Sequence, residues 1–573
     1  MSPYPRRLSH PVSRRSFLAT TALAAGVGLA SPVLNVNNPS AWAAPLKPHS
    51  PLYPSSNPRA TTLTSFTAQK VSGPRWSAVI GGKSLPLITR TELARKRARR
   101  TPTPLASFGQ ITDLHVTDAQ SPARMEYVHT RIRSAYRPHE SLVPFVINAA
   151  VKRLNKYNYG PISGRTLDCV VMTGDGTDNH ETIELEWVLK LLSGGRFIAN
   201  TGHPTKWEGV ETSGNSYYWQ IQDSLTDIYK QHGFPTIKGF FDTLLRTPVV
   251  CPGLKTRWYS TLGNHDTCFI GAFPTDLPLE DFYQGSKKLL DLDVDDIIGN
   301  AYRELESGKN PLPEIMMGKQ DVFRTITPDK RRKPFTRKEF AEMHHRPEYT
   351  GAGPRGHGLP TNGLNFYTFP ISERVTGIVL DTNDPIGAAS GWMGGYQLMW
   401  LEKQLTRIKD KLVVVFSHHS TSDILARGIP RPDHPHDHTD SHSPQDIVEL
   451  LQKFPNVVAW VNGHTHACKI RAHKHDNPRR SFWEINTPSF TDWPHLGRII
   501  EVVDNNDGTL SLFTTLFEPD VPHNPQDCTN IQDRLASLCR QIAVNDFEND
   551  WKALLGEDID GNTELVLANP LAK

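Results

Sequence analysis

Leu167-Asp168-Cys169-Val170-Val171-Met172, followed at once by Thr173-Gly174-Asp175-Gly176-Thr177-Asp178, is the stretch that decides the fold. A short apolar, partly β-branched run ends in a polar turn containing glycine. Such a run reads as a buried strand. The pattern recurs four times. Phe108-Gly109-Gln110-Ile111-Thr112 leads into Asp113-Leu114-His115, and Trp258-Tyr259-Ser260-Thr261-Leu262 leads into Gly263-Asn264-His265-Asp266. Leu412-Val413-Val414-Val415-Phe416 leads into Ser417-His418-His419, and Val457-Val458-Ala459-Trp460-Val461 leads into Asn462-Gly463-His464-Thr465-His466. Helical periodicities lie between them: Leu142, Phe145, Val146, Ala149 and Leu154 mark one apolar face, and Leu398, Leu401, Leu405 and Ile408 another. Alternating strands and helices argue for an α/β architecture. Ligands in such sheets sit at the carboxyl ends of the strands, where all five polar clusters fall.

Each cluster alone is commonplace, and a lone His at a strand end is usually a satisfied polar residue. The ordered series is not: D-x-H, G-D-x-x-D, G-N-H-D, a His after an apolar strand, then G-H-x-H. It offers carboxylates, imidazoles and one amide, with no thiolate. Those donors suit Mn, Fe, Zn or Co rather than a structural zinc.

The series resembles the five-motif pattern of the calcineurin-like metallophosphoesterases, over about residues 105 to 520. Tyr367 to Thr382 looks like that family's strand ending in Asp-Thr, and Gln397-Leu398-Met399-Trp400-Leu401 like its following helix. The insert with Glu208-Gly209-Val210, Gly233-Phe234-Pro235 and Trp258-Tyr259 resembles an exported bacterial branch. The resemblance implies a four-layer α/β sandwich of two mixed β-sheets flanked by helices. It implies two metal ions: Asp113, His115, Asp175 and His466 on one, and Asp175, Asn264, His418 and His464 on the other. His419 stays open as the alternative to His418. Two such ions acidify a bridging water, orient the phosphoryl group and neutralise charge during in-line attack. His265 resembles the family's catalytic His, a general acid for the leaving oxygen. Asp178 matches the carboxylate that pairs with that His; its other reading is a helix cap.

Two departures narrow the branch. Protein phosphatases of the superfamily carry Arg after that Asp, and here the residue is Asn179. Purple acid phosphatases carry a Tyr ligand near the second motif, and Met172 to Asp178 contains none. The D-x-H opening is closer to phosphodiesterase and nucleotidase-like members, with monoester against diester undecided.

The ends of the chain say where it works. Ser13-Arg14-Arg15-Ser16-Phe17-Leu18 resembles the twin-arginine export motif, Leu18 to Leu34 is an apolar run, and Ala41-Trp42-Ala43 offers a cleavage site. An uncleaved anchor is the competing reading, but Pro32 and the glycines break the run. We expect a leader over 1–43, a linker and N-terminal extension over 44–104, a metallophosphoesterase domain with insertions over 105–520, and a C-terminal helical extension over 521–573. The expected partners are the export machinery and a phosphoester substrate outside the cytoplasm, with no integral membrane segment after leader removal. The 573-residue chain has a net charge of only +3, and four of its arginines fall in the leader, so no general affinity for nucleic acid follows. Arg95 to Arg100 reads as a solvated helix face, and Ile531 to Leu554 as a helix. Asp504-Asn505-Asn506-Asp507-Gly508 reads as a hairpin turn. Asp433 to His442 reads as a polar loop, or as a metal or substrate contact. The six cysteines are too few for a disulfide framework. Cys528 with Cys539, and Cys268 with Cys468, are possible pairs beside buried free thiols. The runner-up function is a metal-binding, catalytically silent envelope recognition module. Neither H-E-x-x-H nor G-x-S-x-G occurs.

Overall fold

The computed structural model describes residues 64–70, 76–98, 100–129, 132–273, 279–291, 322–349, 359–360, 364–384, 387–426 and 441–572. The expected leader and its cleavage site lie outside the described residues, as does the histidine-rich stretch up to residue 440.

Two sheets carry the chain. One has seven strands, in the order Ile88–Arg90, Thr563–Ala568, Thr509–Phe517, Gly497–Asp504, Thr103–Ile111, Cys169–Thr173 and Trp258–Thr261. The last three of these run parallel. The other has six, in the order Tyr367–Pro370, Val375–Val379, Leu412–Phe416, Val457–Asn462, Phe482–Asn486 and Lys469–His473. Its middle four run parallel and its two edges antiparallel. This is a mixed α/β architecture of two multi-strand sheets flanked by helices.

Strand Leu412–Phe416 shows why these runs are apolar without a break. Leu412, Val414 and Phe416 join the core shared with the other sheet. Val413 and Val415 pack with Leu401, Leu405, Ile447 and Leu451 of helices Gly395–Arg407 and Pro444–Lys453. A strand covered on both faces has no polar side to show. Phe108 and Phe416, one from each sheet, meet edge to face at 5.6 Å between centroids. Helices Val143–Tyr157, Thr182–Ser193 and Ile531–Ala543 add their apolar faces to that core. No helix of the described residues is long and apolar enough to cross a membrane.

Several details differ from the sequence reading. Tyr367 to Thr382 is a hairpin, Tyr367–Pro370 against Val375–Val379, because Ser372-Glu373-Arg374 forms a polar turn. Ile531 to Leu554 is two helices, Ile531–Ala543 and Trp551–Leu555, with the second capped by Asp550. The polar run between them spends its side chains elsewhere: Asn545 takes the backbone N–H of Ser77 at 2.6 Å. Arg95 to Arg100 is not helical in its described residues. Arg95 and Arg100 donate to the carbonyls of Asp507 and Asn506 in the 504–508 turn, and Arg97 pairs with Glu564 at 2.6 Å. The seven-stranded sheet also includes Ile88–Arg90 and Thr563–Ala568, one from each side of the 105–520 span. All six cysteines are free and buried.

Candidate metal centre

The five polar clusters emerge at the carboxyl ends of strands Thr103–Ile111, Cys169–Thr173, Trp258–Thr261, Leu412–Phe416 and Val457–Asn462. The first two loops are laced together. Asp113 N–H donates to Gly174 O at 3.0 Å, His115 N–H to Asp175 O at 3.0 Å, and Val116 N–H to Gly176 O at 2.9 Å. This lacing holds an unusual backbone. Asp113, His115, Asp175, His464 and His466 have φ of 50°, 41°, 51°, 70° and 56°. Left-handed non-glycine residues cost about 1–3 kcal/mol each and gather where side chains must be aimed. Two glycines are required by crowding. A Cβ on Gly263 would lie 2.1 Å from Asp175 Oδ1, and one on Gly463 2.1 Å from Thr112 Oγ1 and 2.5 Å from Asp113 Oδ2.

The sequence-identified ligand residues gather in two groups. In the first, His115 Nε2 and His466 Nε2 stand 3.2 Å apart. Asp113 Oδ1 is 3.4 Å from His466 Nε2, and Asp175 Oδ2 is 3.6 Å from His115 Nε2. In the second, His418 Nε2 lies 3.0 Å from Asn264 Oδ1 and 3.1 Å from Asp175 Oδ2. His464 Nδ1 is 3.1 Å from the same Asn264 oxygen and 3.3 Å from His418 Nε2. Asp175 Oδ1 is taken by the N–H of His265 at 2.8 Å, which turns Oδ2 toward both groups.

The partners behind these atoms fix what they present. His115 Nδ1 faces Asp178 Oδ1 at 2.7 Å, and His466 Nδ1 faces Asp492 Oδ2. Burial works to raise both carboxyls. Arg124 with His115 and His265 outweighs it at Asp178, and Arg137 with His466 outweighs it at Asp492, holding both well below the usual carboxylate range. An ionised carboxylate only accepts, so each Nδ1 carries a proton and each Nε2 is the nitrogen turned to the middle. Burial lowers the His115 imidazole to about 4 and leaves a lone pair on its Nε2, while at His466 Asp113 and Asp492 outweigh burial and raise the imidazole to about 10, so its Nε2 carries a proton that a cation would displace. Two imidazole nitrogens and two carboxylate oxygens converge, an arrangement a cation satisfies. In the second group His418 Nδ1 donates to Thr173 O at 2.8 Å, and Asn264 Nδ2 donates to Gly271 O at 2.9 Å. His418 Nε2 and Asn264 Oδ1 are thereby turned to the middle; burial works against charge on His418, but Asp175 and Asp113 raise it to about 9, so a cation would displace the Nε2 proton. The residues present fit transition-metal ions.

His265 stands at the rim, with a side chain 21% exposed where those of Asp113 and His418 are fully buried. Its Nδ1 donates to the Asp178 carbonyl at 2.7 Å and lies 3.2 Å from Asp178 Oδ1. Burial disfavours its charge, but Asp175 and Asp178 raise it above the ordinary imidazole value. Asp178 thus touches two imidazoles and lies nearer to that of His115. It does not cap the following helix, whose N-cap position is Glu181 with the Glu184 carboxylate accepting the Glu181 N–H at 3.3 Å. Asn179 is buried and bonded to Glu184 and Asp118. His419 is engaged on both nitrogens, with Thr382 Oγ1 at 3.0 Å and Ala389 O at 3.2 Å. Its ring nonetheless lies near His418 and His464.

Sequence reasoning missed Asp492, Arg137 and Arg124. A signal for Asp492 was there. Strand Phe482–Asn486 runs parallel to its neighbour and ends in Thr487-Pro488-Ser489-Phe490-Thr491-Asp492, a sixth polar cluster of the same form.

The chain matches the model of the calcineurin-like phosphoesterases over residues 106–468, and it belongs to that family. Among solved structures it is similar to a dimetal phosphatase from Danio rerio, at 12% identity and a TM-score of 0.34, over 73% of this chain and 99% of that one. It is also similar to a structure of PhoD, at 10% identity and a TM-score of 0.27, over 82% of this chain and 80% of that one. No curated protein sequence matches the chain.

Proposed function

We propose that this chain is a dinuclear phosphoric ester hydrolase working outside the cytoplasm. Asp113, His115, Asp175 and His466 hold one ion, and Asp175, Asn264, His418 and His464 hold the other. The observation that carries this reading is the placement of Asp175 Oδ2, 3.6 Å from His115 Nε2 and 3.1 Å from His418 Nε2. One oxygen faces both ligand groups. The ions, drawn from Mn, Fe, Zn and Co, supply a deprotonated water and neutralise phosphoryl charge. Every other part of the reaction falls to the chain. His265, held at Nδ1, offers Nε2–H to the departing oxygen, and ionised Asp178 favours the charged imidazole that can give a proton. The site outside the cytoplasm rests on Ser13-Arg14-Arg15-Ser16-Phe17-Leu18 and the run that follows, with the leader over 1–43 removed after twin-arginine export.

The test is hydrolysis of bis-p-nitrophenyl phosphate and p-nitrophenyl phosphate by metal-loaded chain beginning at Ala44, beside Asp175→Asn. Turnover abolished by the substitution and by a chelator supports the reading, and the ratio of the two rates sorts diester from monoester activity. Two bound ions per chain with no turnover on either substrate would instead favour a silent, metal-binding recognition module.

A further inference from the structure

Behind the first ligand group lies a second layer, of which only Asp178 falls within the five motifs. Asp178, which backs His115, pairs with Arg124 at 2.6 Å. Asp492, which backs His466, pairs with Arg137 at 2.8 Å. The two arginines come from one segment and share two anchors. Glu140 accepts from the Arg124 guanidinium at 2.7 Å and from the Arg137 backbone N–H at 2.9 Å. The carbonyl of Ser134 accepts from Arg124 at 3.4 Å and from Arg137 at 3.1 Å. Arg124, Arg137, Glu140 and Asp178 are all at most 4% exposed. In the second group, among the described residues, His418 leans on the carbonyl of Thr173 and Asn264 on that of Gly271, while the carboxylate acting on His464 from outside the ligand set is Asp423.

The geometry points to Arg124, Arg137 and Glu140 as a brace that positions both imidazoles of one metal site and does not reach His418 or Asn264 of the other. It rests on the two-metal reading and adds to it. Arg124, Arg137, Glu140 and Asp492 are positioning residues, reaching the ion only through His115 and His466. Such outer partners fix ring orientation and raise the basicity of the ligating nitrogen, and their loss costs about 10–100-fold in metal affinity. Because Glu140 serves both arms, its loss loosens both imidazoles, whereas Asp492 serves one.

The experiment is calorimetric titration of full-length apoprotein with manganese(II), alongside metal content after gel filtration. Wild-type chain should bind two ions in separable steps; fewer than two would overturn the two-metal reading itself. In Asp492→Asn one step should weaken about 10–100-fold while the other keeps its affinity. Asp492→Glu should restore part of the loss. Glu140→Gln should weaken the same step and spare the other. If wild type binds two ions and Asp492→Asn leaves both steps unchanged, or weakens both alike, the brace is wrong. Arg137→Lys, which keeps the charge but loses the fork, serves where Asp492→Asn does not fold. An unchanged pair of steps there overturns the proposal equally.

Discussion

The two halves of the candidate centre present similar donors to the middle but stand on different ground. His115 and His466 are backed by ionised carboxylates, themselves held by buried arginines. His418 and Asn264 are backed by neutral backbone carbonyls of Thr173 and Gly271. An imidazole with a carboxylate at its back is a stronger electron donor than one leaning on a carbonyl. The same ligand chemistry thus acquires two strengths. The first half depends on residues scattered through the sequence, while His418 and Asn264 of the second rest on carbonyls close to the strand-end clusters.

The sharpest test of that asymmetry begins where it vanishes. Asp175→Asn, altering the one oxygen that faces both halves, should weaken both ion steps together and remove turnover. His265→Ala should do the opposite, leaving two ions per chain while kcat falls by about 10²–10⁴, with the greatest loss on poor leaving groups. Comparing the halves by acid release of metal requires a fold that outlasts them, and Glu518 sets part of that limit. Burial works to raise its carboxyl, but Arg540 and His523 bring it down to about 2 from an ordinary 4.5. Its contribution, on the order of 3 kcal/mol, is therefore full above about pH 4.5 and is lost as pH falls through about 2. Glu518→Gln should lower stability at neutral pH and flatten that acid limb in thermal melts. Gly463→Ala should have the smallest effect, about 1–3 kcal/mol of overpacking. Because the added methyl presses on Asp113, the first ion step should shift in a titration more than the second.

What the sequence made legible follows the same line. The five strand-end clusters were readable because each is local: an apolar run, a glycine turn and a donor within a few residues. Leu412–Phe416 was readable as a buried strand, though not that its two faces meet helices on one side and the second sheet on the other. Arg137 and Asp492 meet across 355 positions, and no local periodicity announces such a pair. Arg95 to Arg100 misled for a related reason. Charge density suggested a solvated helix face; Arg95 and Arg100 are exposed, but on non-helical backbone and bonded to a hairpin far along the chain, while Arg97 pairs with Glu564. The break after Ala543 was hidden because Asn545 bonds both a distant backbone, at Ser77, and the Gln541 carbonyl of its own helix.

Strand Ile88–Arg90 has one partner in its sheet, Thr563–Ala568. Strand Ser77–Ser84 likewise leans on Gln541 and Asn545 of the closing helix region. A ribosome delivers Ile88–Arg90 more than four hundred residues before Thr563–Ala568, on which it docks. The motif-bearing loops are made in between. A chain cut short before Thr563 would therefore carry every motif and still lack the strand against which Ile88–Arg90 settles.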